Sequence, residues 1–149
     1  DQLASHSITR AYRAVVYHNF QEDEGTVNAS IGRDPKNRLK MAVTKQNSKE
    51  AVTHYKVLQR FGAFTYLEAR LETGRTHQIR VHMAYINHPL LGDAVYGPKK
   101  KALGIDSQML HAKLLGFRHP KTGEYMEFDS ALPQEFVNVI KKLGGTIDE

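Results

Sequence analysis

The segment from Leu71 to Gly97, LETGRTHQIRVHMAYINHPLLGDAVYG, constrains this chain more than any other. A glycine turn, Thr73-Gly74-Arg75, leads into a helical pattern in which Ile79, Met83 and Ile86 recur at i, i+4 and i+7. Thr76 stands where an N-cap belongs and Pro89 stops the pattern, so the spacing predicts a helix over 76–86. Leu91-Gly92-Asp93-Ala94-Val95-Tyr96-Gly97 follows as a second turn-rich signature. In it Asp93 reads as a turn organiser, because short aspartates bond nearby backbone N–H groups.

Strand patterns surround this segment. Arg10 to Tyr17 is rich in aromatic and β-branched residues and nearly alternates. Gly25 to Ile31 and Leu39 to Val43 read as short strands flanking a basic turn, after an acidic loop over 21–25. Ala51 to Phe61 and Phe64 to Leu71 alternate well, and Gly62 between them marks a hairpin. Met109 to Phe117 and Tyr125 to Phe128 are expected as strands joined by the turn His119-Pro120-Lys121-Thr122-Gly123-Glu124. A terminal helix is predicted over 133–143, with Pro133 in its first turn, Phe136, Ile140 and Leu143 on one face, and Gly144 at its end. Many strands with two helices argue an α+β fold on a mainly antiparallel mixed sheet. Repeats and low-complexity linkers are absent, so residues 1–149 are expected to form one domain or a large piece of one.

The charge is +5, from 21 Lys+Arg against 16 Asp+Glu, which favours a polyanionic partner without requiring one. The chain has no cysteine, which excludes disulfides, thiolate catalysis and zinc–thiolate sites. With no long apolar run and no signal peptide visible, the expectation is a soluble, cytoplasmic protein with no membrane partner. Eight histidines invite a metal reading, but His77 and His82 are five apart, roughly 140° around a helix, so they share no face. No HExxH occurs, and neither do phosphate-cradling GxGxxG or GxxxxGK[ST] loops. No metal site and no nucleotide cofactor are expected.

Thr73 to Arg80, Asn87 to Leu90 and Leu91 to Gly97 together resemble the third characteristic motif of the RluA-type pseudouridine synthases, which isomerise uridine in RNA. The resemblance extends more loosely from Ile8 to Leu143, including Leu110-His111-Ala112 and His119 to Gly123. It implies that the fold is part of a pseudouridine synthase catalytic domain, and that no cofactor is needed. The family's catalytic aspartate sits in an Arg-Leu-Asp context upstream of this region, and Arg-Leu-Asp does not occur here. The chain is therefore expected to be the C-terminal portion of the catalytic domain, truncated at its N-terminus and inactive alone.

By the same resemblance Arg80 is the arginine that pairs with the catalytic aspartate. A carboxylate in a water-poor cleft needs a partner, and a guanidinium offers a bidentate fork that keeps its proton. Tyr12, in Arg10 to Val16, resembles the family's tyrosine motif. Its ring is suited to stack on a flipped-out pyrimidine, and its hydroxyl to accept the proton when the rotated base rearomatises. Arg75 lies in the turn before a helix N-terminus, where phosphate is favoured. It is assigned to RNA backbone, and His77 to a hydrogen bond near the cleft. Arg33, Lys36, Arg38 and Lys40 crowd the basic turn, which resembles a loop the family uses against its RNA. Asp34 follows Gly-Arg rather than Arg-Leu and is not read as the nucleophile. The resemblance implies ribosomal RNA as substrate, with transfer RNA open. The rival reading is a non-catalytic RNA-binding module. Sheet edges left open by truncation invite pairing with a second copy.

Overall fold

The computed structural model of the chain describes residues 8–147. The first seven and last two residues of the expected 1–149 domain lie outside that range. In chain order the elements are β1 Thr9–Tyr17, β2 Glu24–Asn28, β3 Ile31–Arg33, β4 Met41–Val43, β5 Ser48–Lys49, β6 Val52–Arg60, β7 Phe64–Leu71, α1 Gln78–Tyr85, β8 Leu110–Arg118, β9 Tyr125–Asp129 and α2 Gln134–Lys142. Six strands form one sheet in the order β2-β6-β7-β1-β8-β9, and three short strands form a second in the order β4-β3-β5. Every pairing between described strands is antiparallel. The α+β architecture on an antiparallel sheet is what the chain adopts. Among the described residues no helix is long and apolar enough to cross a membrane.

The sheet forms because its central strand is apolar on both faces. Ala14 and Val16 point to one face, where they pack with Leu67, Ala69, Leu90 and the α1 residues Ile79 and Met83. Val15 points to the other, among Tyr66, Met109 and the α2 residues Phe136 and Ile140. All three β1 residues are fully buried. Burial of side chains of this kind stabilises by roughly 1.5–3 kcal/mol each. One helix thus covers each face, and β2 and β9 are the open edges.

Several boundaries differ from expectation: β4 begins at Met41 rather than Leu39, and the short β5 was not expected. The run over 25–31 is broken into β2 and β3, because Ala29 gives its N–H to Ala51 and its carbonyl to His82. Ile31 then pairs with Val43 and Lys49 in the small sheet. The helix expected over 76–86 begins at Gln78, and its N-cap is His77 in the left-handed region (φ 56°), not Thr76. The far end follows the sequence reading. Asn87 takes a positive φ of 69°. Its N–H reaches the Ala84 carbonyl and that of His88 reaches Met83, which closes a Schellman motif before Pro89. Helix α2 ends the same way at Gly144, while Pro133 is its N-cap rather than its first helical residue.

Candidate active site

The turn before α1 is fixed by Gln78, whose side chain is buried. Its Oε1 accepts the Thr73 hydroxyl at 2.8 Å and the Arg75 N–H at 3.0 Å. Its Nε2 donates to the Val52 carbonyl at 3.0 Å and to Thr53 Oγ1 at 2.9 Å. Thr73 Oγ1 in turn accepts the Val52 N–H at 2.9 Å. The turn and the helix start are therefore tied to β6. One turn on, His82 extends the network, with Nδ1 accepting from Thr53 Oγ1 and Nε2 donating to the Ala29 carbonyl, each at 2.8 Å. Burial pushes the His82 pKa down, and the Ala29 bond offsets this only in part. The ring is thus a neutral structural link.

Arg80 is on the same helix. Its Nε donates to Asp93 Oδ2 at 2.8 Å and its Nη2 to Asp93 Oδ1 at 3.0 Å. The side chains are 12% and 0% exposed. Asp93 Oδ1 also accepts the Val95 and Tyr96 N–H groups at 3.1 and 3.2 Å. Burial alone raises a carboxyl pKa, but the Arg80 and backbone bonds outweigh it and hold Asp93 below its ordinary value. Asp93 thus organises its turn, as its place in the sequence suggests, and also anchors Arg80. The resemblance assigned Arg80's carboxylate partner to an aspartate outside this chain; within the chain that partner is Asp93. Asp93 takes Nε and Nη2, and among the described residues Nη1 makes no hydrogen bond.

Tyr12 comes from β1, at the point where its pairing with β8 shifts register between Ala11 and Tyr12. The ring packs on the core edge and lines a cavity of about 410 Å³ shared with Arg10, Arg75, His77 and Arg80. Among the described residues, no Asp or Glu lines it. Four of the eight residues singled out from the sequence therefore meet at one electropositive cavity. His77 Nδ1 is 2.8 Å from the Tyr96 hydroxyl. Burial and the neighbouring Arg80 charge lower the pKa of His77, against an opposing pull from Asp93.

The other four candidates lie on or beside the loop between β3 and β4. Asp34 closes that loop, its Oδ1 accepting the Lys36 N–H at 2.8 Å and its N–H donating to the Lys40 carbonyl at 2.9 Å. Arg33 lines a second cavity of about 360 Å³ with Lys49, Gly74, Arg75 and Thr76. Arg75 lines both cavities, and its Nε donates to the Glu50 carbonyl at 2.7 Å. Lys36 and Arg38 are exposed and line neither cavity. Lys40 places its ammonium 5.9 Å from the centre of the Tyr96 ring. The sequence reading missed Arg10, Gln78 and Tyr96. Arg10 is two residues from Tyr12 on one strand, so period-2 geometry puts both on one face, a signal that was available. Tyr96 carried no such signal, since its contacts come from distant segments.

Comparison with known proteins bears on this geometry. A family model described as RNA pseudouridylate synthase matches residues 1–85. An uncharacterised RNA pseudouridine synthase of Bacillus subtilis is 52% identical over 143 residues, covering 96% of this chain and 46% of that protein. A ribosomal large subunit pseudouridine synthase D of Neisseria meningitidis is 46% identical over 153 residues, covering 95% of this chain and 40% of that protein. The chain thus spans less than half the length of these relatives. The solved structure of human RNA pseudouridylate synthase domain containing 1 superposes with a TM-score of 0.73 at 26% identity, over 99% of this chain and 70% of that one.

Proposed function

Because the chain belongs to the RNA pseudouridylate synthase family, we propose that it forms the substrate-holding wall of a uridine isomerase acting on ribosomal RNA. The observation that carries this reading is the convergence of Tyr12, Arg75, His77 and Arg80 on one cavity. In the reaction the N1–C1′ bond of a flipped-out uridine breaks, the base rotates and a C5–C1′ bond forms. The proton leaves C5, and N1 gains one. Flipping the base costs a few kcal/mol, less at an unpaired uridine. Stacking on Tyr12 returns about 1–3 kcal/mol. The Tyr12 hydroxyl oxygen receives the C5 proton as it passes its own proton to water, and Arg80 presents Nη1 to the carboxylate that assists departure of the base. Arg75 and the loop cations Arg33, Lys36, Arg38 and Lys40 hold phosphates. Relatives named as ribosomal large subunit synthases support ribosomal RNA over transfer RNA. The absence of cysteine fits a cytoplasmic site of action. The open β2 and β9 edges are where two copies would pair.

One observation favours a second reading, a non-catalytic RNA-binding module: among the described residues no carboxylate lines the cavity. A hybrid separates the two. The chain is joined to the part of the Bacillus subtilis relative that it does not cover, and uridine conversion in ribosomal RNA is followed by mass spectrometry. Product is expected. Arg80→Ala in the hybrid should lower kcat by about 100-fold or more while RNA affinity stays within about threefold. Equal losses in both would make Arg80 a phosphate contact. RNA binding without product would leave the binding-module reading.

A further inference from the structure

Tyr96 joins two parts of the molecule that the sequence keeps 56 residues apart, Lys40 and Tyr96 themselves. Its hydroxyl accepts the N–H of Met41, the first residue after the basic loop, at 3.0 Å. The same oxygen is 2.8 Å from Nδ1 of His77, the N-cap of α1. The Tyr96 ring stands over the Arg80 guanidinium, with 5.0 Å from Cζ to the ring centre, and meets the His77 ring edge-on at 5.6 Å. Its backbone N–H is held by Asp93, the carboxylate that fixes Arg80. These contacts lead to the loop that carries the cations, to the arginine in the cavity and to the N-cap of the helix that bears it.

We propose that Tyr96 is a positioning residue that couples the basic loop to Arg80, so that seating an RNA backbone on the loop sets the pose of the guanidinium in the cavity. The proposal rests on the RNA-isomerase reading above and deepens it. The loop reaches the rest of the molecule here through the backbone N–H of Met41, which follows it, and through Lys40, whose ammonium is 5.9 Å from the centre of the same ring. A phosphate that draws Lys40 outward pulls on Met41. The pull passes through the hydroxyl to His77 and through the ring to Arg80. A purely structural Tyr96 would hold the turn without making Arg80 sense the loop.

The test uses the whole 149-residue chain, a uridine-rich single-stranded RNA of about twelve nucleotides, and two readouts. Fluorescence anisotropy gives RNA affinity, and the ¹⁵N-resolved Nε–H signal of Arg80 reports its pose. In the wild type that signal should shift as RNA saturates the chain. In Tyr96→Phe the ring and the fold remain, affinity should stay within about threefold, and the Arg80 shift on RNA addition should be lost. Lys40→Met, which leaves Tyr96 intact, should shrink the same shift and serves if the Tyr96 variant does not fold. A Tyr96→Phe chain whose Arg80 signal responds as in the wild type overturns the coupling. So does a loss of RNA affinity beyond about tenfold, which would make Tyr96 a direct RNA contact. Wild-type binding with a silent Arg80 signal defeats the coupling alone, whereas no RNA binding by the wild-type chain defeats the isomerase reading with it.

Discussion

Arg80 can sit nearly buried because Asp93 meets it with both carboxylate oxygens. The Arg60–Asp23 pair is equally close, at 2.8 Å, but Asp23 is 87% exposed. Solvent leaves a pair of that kind worth at most about 1 kcal/mol, whereas removing one partner of a buried pair costs about 3–5 kcal/mol. Asp93→Asn keeps the side-chain shape and an acceptor for Val95 and Tyr96 but strands the guanidinium charge. It should destabilise the chain by about 3 kcal/mol, read from urea unfolding. His82 sets a second residue-scale expectation. Its folded pKa lies below the ordinary 6.5, so the unfolded chain binds the proton first. The stability His82 contributes is therefore complete above pH 6.5 and falls as the pH drops below it, by up to about 1.4 kcal/mol per pH unit until the folded pKa is reached. Urea unfolding between pH 7 and 5 should show that slope, and His82→Gln should flatten it by the share of this one ring.

Gly92 tests the element that carries Asp93. Leu91 exchanges backbone bonds with Val15 and Met109, which threads this segment beside β1. Gly92 then turns away with φ +85°, and a Cβ there would lie 2.1 Å from the Ser107 carbonyl oxygen. Strain and backbone collision act together, so Gly92→Ala should cost at least about 2 kcal/mol and lower the melting temperature. Elements whose cause is local were legible in the sequence. Alternation and Gly62 gave the β6–β7 hairpin, and Asn87 with Pro89 gave the end of α1. The start of α1 was not legible, because Gln78, from inside the helix, does the work expected of Thr76 by gripping Thr73, Arg75 and β6. Neither was the break between β2 and β3, since GTVNASI reads as one strand until His82 claims the Ala29 carbonyl. The Asp93–Arg80 pair was half legible. The turn role of Asp93 follows from its neighbours, but its charge partner is thirteen residues away across the fold.

At the scale of the whole molecule, the two cavities that share Gly74 and Arg75 form one electropositive wall, with an aromatic residue at one end and the basic loop at the other. Such a wall is suited to a polyanion but does not itself cleave a glycosidic bond. Detaching uracil needs a group that attacks the sugar or assists base departure. The aspartates in the motifs here are committed elsewhere: Asp93 is fully buried under Arg80, and Asp34 holds its own loop. In the proposed reaction Tyr12 serves only the later proton transfer. The chain by itself should therefore give no pseudouridine when incubated with unmodified ribosomal RNA and assayed by mass spectrometry. It should still bind that RNA. If Arg75 and the four loop cations Arg33, Lys36, Arg38 and Lys40 each meet a single-strand phosphate, log affinity should fall against log salt with a slope of about −3.5. Replacing Lys36 and Arg38 together by alanine should bring the slope to about −2, and because both are exposed it should leave the melting temperature unchanged. Product from the chain alone would show that Asp34 or Asp93 escapes the bonds that hold it, and a salt-independent affinity would show that the loop never touches the RNA backbone.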